Sequence, residues 1–174
     1  MPLHHVAYAT RDVAATTHFY EDLMGFPLVH TELQAKGDSW VRHVFYDIGP
    51  NDKGPRECIA FFQFEGVGES ADWTTDVSDG VGLPVWVNHC AFRATAEQQE
   101  AVRARMSAEG IEALMELNHD WCHSLYYLDP NRIMVELCRD TPGFEPNMGE
   151  AHRLLTADPR AEVGLKAAAG DSSH

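Results

Sequence analysis

Basic residues are scarce in this chain. Lys and Arg together number 13 against 27 Asp and Glu, a formal net charge of −14. That field repels polyanions, which argues against a nucleic-acid partner and against an anionic membrane surface. Long apolar runs are missing too, and none approaches the ~20 residues that cross a bilayer. The N-terminus, Met1-Pro2-Leu3-His4-His5, shows no basic segment followed by an apolar core. No signal peptide is therefore expected, and the chain is read as cytoplasmic. Nine Pro and 13 Gly are too few for a low-complexity or collagen-like chain. Cysteine is limited to Cys58, Cys90, Cys122 and Cys138, with no CxxC pair. In a reducing compartment Cys58, Cys90 and Cys138, set in apolar runs, read as small buried hydrophobes. Cys122 lies among histidines and is less constrained.

What is present is a chain of 174 residues, 44% hydrophobic and 23% charged, the profile of one globular domain or two small halves sharing a core. Ten His is a high number for that length. The chain also repeats itself. His5-Val6-Ala7-Tyr8 matches His89-Cys90-Ala91-Phe92, each an alternating strand pattern opened by a His. A helix-compatible stretch follows each, about Asp12 to Met24 and about Ala96 to Glu109. Both end at a Gly, a normal helix stop, and the His-to-Gly spacing is 25 − 5 = 20 and 110 − 89 = 21. Strand patterns come next: Leu28–Leu33, Trp40–Ile48 and Cys58–Phe64 in the first copy, Glu112–Leu117, Ser124–Leu128 and Ile133–Leu137 in the second.

The expected fold is therefore α+β, with two βαβββ modules over about 3–65 and 86–138 within one domain of residues 1–140. Each module has one helix and an open four-stranded sheet, and pairing two modules buries what one leaves exposed. Glu65 to Pro84, rich in Gly, Asp and Ser, reads as the linker, pinned by Trp73 and Val77. Residues 141–174 read as a C-terminal extension. It has a short helix near Glu150–Leu155 and frays beyond Asp158, where large apolar residues run out.

The repeat, Phe19-Tyr20 with Gly25-Phe26, and Leu125-Tyr126-Tyr127-Leu128-Asp129-Pro130 together resemble the vicinal oxygen chelate superfamily. That superfamily includes glyoxalase I, fosfomycin-resistance proteins, methylmalonyl-CoA epimerase and type I extradiol dioxygenases. The resemblance covers about residues 3–140 and implies a cup-shaped mixed sheet with flanking helices. It also implies a divalent metal held by the first and last strands of the modules. Residue by residue, the ligands it implies are His5, His89 and Glu136. The residue types agree, because two imidazoles and one carboxylate on one face leave open positions, as in non-haem Fe(II) enzymes. A Glu inside Ile133-Met134-Val135-Glu136-Leu137 is also costly unless a cation or hydrogen bonds match its charge. His4 and His5, being adjacent in a strand, face opposite ways, and the repeat selects His5.

A fourth ligand from the first module would fall at Ala60 or Phe61, and neither binds metal. Glyoxalase I generally carries a carboxylate there, so the departure argues for a three-ligand site. The run from His119 through Tyr126 and Asp129-Pro130 to Glu136 is similar to the extradiol dioxygenase pattern, except that Arg132 stands at a usual Gly and Leu117 at a usual small or β-branched residue. The resemblance implies His119 as acid/base, a role that suits imidazole, and Tyr126 as hydrogen-bond donor to substrate. His123 is the alternative to His119, and Tyr126 is equally readable as a packing residue of the strand. A zinc site of His119, Cys122 and His123 is open to residue type, but its spacing matches no usual zinc pattern. His123, Phe61 and His43 are weaker substrate-binding candidates.

The leading expectation is an Fe(II)-dependent extradiol-type dioxygenase acting with O₂ on a catechol-like or other vicinal-oxygen small molecule. Mn(II), Zn(II) or Ni(II) are alternatives at the metal. A metal-dependent lyase or isomerase that uses no O₂, and a non-catalytic resistance protein that sequesters a ligand, are alternatives for the activity. A homodimer is the candidate assembly, because dimers are common in the superfamily.

Overall fold

A computed structural model describes residues 3–49, 56–67 and 73–164. The chain divides into two compact units, Met1–Thr141 and Pro142–His174.

The first unit holds the two modules. Module one runs β1 (His5–Ala9), α1 (Val13–Thr17), β2 (Leu28–Lys36), β3 (Ser39–Asp47) and β4 (Cys58–Phe64). Module two runs β5 (His89–Arg93), α2 (Ala96–Ala108), β6 (Met115–Asn118), β7 (Cys122–Leu128) and β8 (Met134–Asp140). The sheets have the same order, β1-β4-β3-β2 and β5-β8-β7-β6. In each, the first strand lies parallel to the last and the other pairings are antiparallel. The architecture is α+β, built from two βαβββ modules.

Local chemistry sets the helix limits. Asp12 accepts from the Ala15 amide at 2.9 Å and opens α1. Thr95 and Gln98 form a reciprocal capping box that opens α2. Both helical segments stop at a left-handed glycine, Gly25 at φ +80 and Gly110 at φ +72, a conformation a Cβ disfavours. The first helix is not uniform, as the spacing alone suggested. After Thr17 it widens into a π-helical stretch over His18–Leu23. The wider turn puts Phe19, Tyr20 and Leu23 into the core together.

One core joins both modules. Tyr20, Tyr46, Ile59 and Phe61 from module one and Val102, Met106, Leu125, Tyr127 and Val135 from module two belong to a single buried cluster. Across it, the Tyr8 hydroxyl and Cys90 Sγ are 2.9 Å apart. Two polar ties brace the strands from behind. Gln99 donates to the carbonyls of His123 and Leu137 and clamps α2 to β7 and β8. Asp129 accepts from the amides of Asn131 and Ile133 and from the Tyr20 hydroxyl, which closes the turn before β8.

The linker is held differently from expectation. Trp73 does pack, with the Arg11 guanidinium 4.6 Å from its ring centre, but Val77 stays exposed. Buried Asp76 and Ser78 do the anchoring instead. Asp76 accepts from Arg132 Nε at 3.0 Å and from two local amides, and Ser78 Oγ accepts from the Asn88 amide. Residues 68–72 of the linker lie outside the described residues.

In the second unit, α3 spans Met148–Thr156, longer than the expected helix and capped by Asn147. Beyond Asp158, where fraying was expected, Pro159–Glu162 forms α4. Asp158 caps its N-terminus and Arg153 ties it to α3 through Glu162. Residues 165–174 lie outside the described residues. Among those described, no helix is long and apolar enough to cross a membrane.

Candidate functional site

Strand alternation and register decide what each sheet presents. Ala91 pairs with Glu136 and Glu136 with Tyr126, while Cys138 pairs with Ser124. Side chains two apart share a face. One face of the second sheet therefore carries His89, Glu136, Cys138, Tyr126, Ser124 and Cys122. The opposite face carries Phe92, Val135, Leu137, Leu125 and Tyr127, which are core.

Glu136 is the centre of that first face. It is only 6% exposed, and the Ser124 hydroxyl donates to its Oε1. Its Oε2 lies 3.1 Å from His89 Nε2. The other ring nitrogen, His89 Nδ1, is 2.9 Å from the Trp86 carbonyl. A carbonyl only accepts, so Nδ1 carries a proton. Neutral His89 then aims a lone pair at a carboxylate oxygen, and only a proton on Nε2 or a cation between the two relieves that. A His oriented by a backbone carbonyl beside a hydrogen-bonded carboxylate is the usual support of a metal site. The pair fits a divalent metal on this ground.

His119 occupies the hairpin turn between β6 and β7. The turn is set by Asn118, which accepts from the Asp120 amide, and by Asp120 itself at φ +67. It brings His119 Nε2 to 2.9 Å from the Tyr126 hydroxyl. Burial raises the Tyr126 phenol above its ordinary pKa. The Ser124 hydrogen bond opposes that rise and the charge on Glu136 adds to it. Tyr126 is therefore held as a neutral phenol, with its hydroxyl proton in place.

His5 is placed elsewhere. It opens β1, with its ring 5.6 Å from Phe45 and 6.2 Å from His43, and its Nδ1 is 2.7 Å from His4 Nδ1. The structure brings His89 and Glu136 together and leaves His5 in a separate cluster on module one. Ala60, the partner of Ala7, holds the register that Glu136 holds opposite Ala91.

The weaker candidates sort by register. His43 is on the same face as His5, stacked on Phe62 at 3.7 Å with Glu32 4.0 Å away. Burial lowers its pKa against the pull of Glu32, and its Nε2 is buried without a hydrogen-bond partner among the described residues. It lines a cavity of about 360 Å³ with Phe62, Phe64, Val41 and Glu32. Phe61 is no binding residue. It is fully buried against Tyr20 in the core, and Phe62 takes the position on the other face. His123 alternates to the face opposite Tyr126 and Glu136, away from the site. Cys122 and His123 therefore point apart, which rules out the zinc site of His119, Cys122 and His123.

Ser124 and Cys138 are the additions from the structure. Cys122, Glu136 and Cys138 offer ligand atoms that all lie within 4.8 Å of one another. The Cys138 thiol is pushed up to about 11 by burial and by neighbouring Cys122. Ser124 sits two residues from Tyr126, so a period of two along β7 would have found it. Cys138 was hidden by its apolar neighbours.

Comparison with known proteins follows the same outline. One similar structure is a glyoxylase/bleomycin resistance protein/dioxygenase domain from Frankia sp. EAN1pec. It is 13% identical, with TM-score 0.59 over 83% of this chain and 95% of that one. A fosfomycin resistance protein FosX from Listeria monocytogenes, solved as a point mutant with Mn(II) and 1S,2S-dihydroxypropylphosphonic acid, is 22% identical. Its TM-score is 0.53, covering 88% of this chain and 97% of that one. A glyoxalase/dioxygenase from Nostoc punctiforme is 16% identical, with TM-score 0.55 and coverages of 80% and 91%. No functionally curated protein sequence matches the chain. At these identities the likeness is one of fold. A family model carries it further, matching residues 2–137, and by that match the chain belongs to the glyoxalase/bleomycin resistance protein/dioxygenase superfamily.

Proposed function

We propose that the protein is a metal-dependent enzyme of the extradiol ring-cleavage type, acting on a catechol-like or related vicinal-oxygen small molecule with O₂. The observation that carries this reading is the His119–Tyr126 contact at 2.9 Å, one strand pairing away from Glu136. An imidazole and a neutral phenol beside a candidate ligand are what moving a proton to and from a substrate hydroxyl needs.

His89 and Glu136 would hold the ion. His5, the third ligand that the family resemblance implies, would have to leave the cluster of His4, His43 and Phe45 in which it stands to join them. When bound, Fe(II) would gather two vicinal substrate oxygens and O₂ and carry electron density between them. Ser124 fixes the Glu136 carboxylate, and the Trp86 carbonyl fixes the His89 tautomer. Tyr126 would donate to a substrate oxygen, and His119 would take the proton that substrate loses on binding and return it later. Ala60 supports three protein ligands over four, because it puts a methyl group at the first module's equivalent of Glu136. That distinguishes the site from the four-ligand glyoxalase pattern.

The test is metal analysis of protein purified without oxygen, followed by O₂ uptake with a panel of catechols. Substrate-dependent O₂ uptake by the Fe(II)-loaded protein supports ring cleavage. Turnover of a vicinal-oxygen substrate with no O₂ uptake, sustained by Mn(II) or Zn(II), would replace this reading with a lyase or isomerase.

A further inference from the structure

We propose that Cys122, Cys138 and Glu136 form a second ligand set, a site for a thiophilic divalent cation such as zinc, cobalt or cadmium. The site uses neither His5 nor His89.

The placement follows from the hairpin of β7 and β8. Ser124 pairs with Cys138, so Cys122 lies diagonally across from it on the same face, and Glu136 is two residues along from Cys138 on that face. Two sulfurs and a carboxylate oxygen converge within 4.8 Å of one another. A tetrahedral zinc with bonds of ~2.0–2.3 Å needs its donors ~3.3–3.8 Å apart. All three stand on the paired strands β7 and β8, so closing on an ion calls for no change of strand pairing.

Burial favours a specific site over a chance surface cluster. Cys122 has no exposed surface, Glu136 has 6%, and Cys138 is half-buried. An ion therefore approaches from the Cys138 side. The Ser124 hydroxyl is 3.6 Å from Cys122 Sγ and donates to Glu136, so it bridges two of the three donors and orients the carboxylate. The remaining cysteines are occupied or distant. Cys90 contacts the Tyr8 hydroxyl, and Cys58 lies in module one.

The donor set decides which ion. Two sulfurs select zinc, cobalt or cadmium over magnesium or manganese, because soft ligands prefer soft and borderline ions. Three protein donors leave a fourth position for water, so the ion is exchangeable and not locked into the fold. Glu136 serves both ligand sets, and an ion between the thiols withdraws it from His89.

The test uses the full chain, reduced, stripped with a chelator and kept free of oxygen, titrated with Co(II). A thiolate-to-cobalt charge-transfer band and the strong visible bands of tetrahedral Co(II) should appear, saturate at one equivalent and bleach when Zn(II) is added. Cys122→Ser and Cys138→Ser should each lose the charge-transfer band. Cys58→Ser and His89→Ala should keep it. Cys138→Ala, at a half-buried position, serves as the second variant, and circular dichroism checks that each variant folds. Cobalt bound to the wild type without a thiolate band, or a band that survives in the folded Cys122 and Cys138 variants, would overturn the site. A Co(II) thiolate band that persists in His89→Ala, while the iron content of that same variant after Fe(II) reconstitution falls, would separate this site from the His89–Glu136 centre.

Discussion

Ala60 and Glu136 hold the same register in the two modules, opposite Ala7 and Ala91 of the matching first strands. One module thus ends in a carboxylate and the other in a methyl group. The repeat keeps the backbone and exchanges the side chain. The same contrast runs along the neighbouring strand, where Phe45 and His43 of β3 stand at the positions of Tyr126 and Ser124 of β7. Module two carries a hydrogen-bonded acid, phenol and hydroxyl, while module one carries aromatic rings and histidines.

A first prediction concerns metal content. His89→Ala and Glu136→Ala should each leave the Fe(II)-reconstituted protein with far less than stoichiometric iron, because each removes one of the two donors that stand together. His5→Ala should do the same if His5 completes the set. Elemental analysis after desalting measures this, and stoichiometric iron in His89→Ala contradicts the proposed centre. Retention in His5→Ala alone would reduce the centre to His89 and Glu136. Binding should weaken on acidification, since imidazole and carboxylate donors must lose their protons to ligate.

Much of this arrangement is legible in the sequence. His5 and His89 stand out because two weak matches recur at matching distances from a helix-stopping Gly. Glu136 stands out because a charge in an apolar strand needs a reason. The faces of β4 were not legible. Phe61, Phe62 and Phe64 break strict alternation, so the pattern does not say which ring faces inward, and a one-residue slip exchanges the faces. Pairing with β3 settles it by setting Phe61 opposite Val44 and Phe62 opposite His43. Cys122 and Cys138 are 138 − 122 = 16 residues apart and meet only once the hairpin register is known. Arg132, odd in sequence for a turn that usually has Gly, adopts φ +62 and donates to Asp76. The ion pair accompanies a backbone conformation that a side chain disfavours.

Phe61 and Phe62 provide a second prediction. Phe61→Ala should destabilise the fold by about 3–5 kcal/mol, the range for emptying a fully buried aromatic position. Phe62→Ala removes a half-buried ring stacked on His43 and should cost about 1 kcal/mol or less. Chemical denaturation with fluorescence detection measures both. Equal losses would mean the faces of β4 are assigned wrongly.

Asp76 gives a pH-dependent prediction. Burial alone would raise its pKa, but the amides of Asp79 and Ser78 and the Arg132 guanidinium outweigh that and hold it below 3.8. Its folded pKa is therefore lower than its unfolded one. The stability it contributes is fully present above about 3.8 and is lost as pH falls through the lower folded value. Asp76→Asn should cost about 1–3 kcal/mol at neutral pH, as hydrogen bonds to a charged group are lost. Denaturation at neutral pH and at increasingly acidic pH tests this. The gap between wild type and Asp76→Asn should narrow as pH drops below 3.8. A gap that is constant or widens would show that the carboxylate charge is not what anchors the linker.

The last prediction separates catalysis from structure at His119. The side chain touches the Tyr126 hydroxyl, while the backbone makes the turn, with the His119 amide donating to the Cys122 carbonyl at 2.9 Å. Replacing the side chain therefore leaves the turn's own hydrogen bonds intact. His119→Phe should keep the melting temperature and the metal content, and lower single-turnover rate by ~10²–10⁴-fold, the range for a lost general acid or base. Tyr126→Phe deletes one donor and should lower the rate less. Because the two groups act on one proton path, the double variant should lose less than the product of the single losses. Purely additive losses would mean that they act independently. An unchanged rate in His119→Phe would remove the catalytic role and leave the 2.9 Å contact as packing of the hairpin against β7.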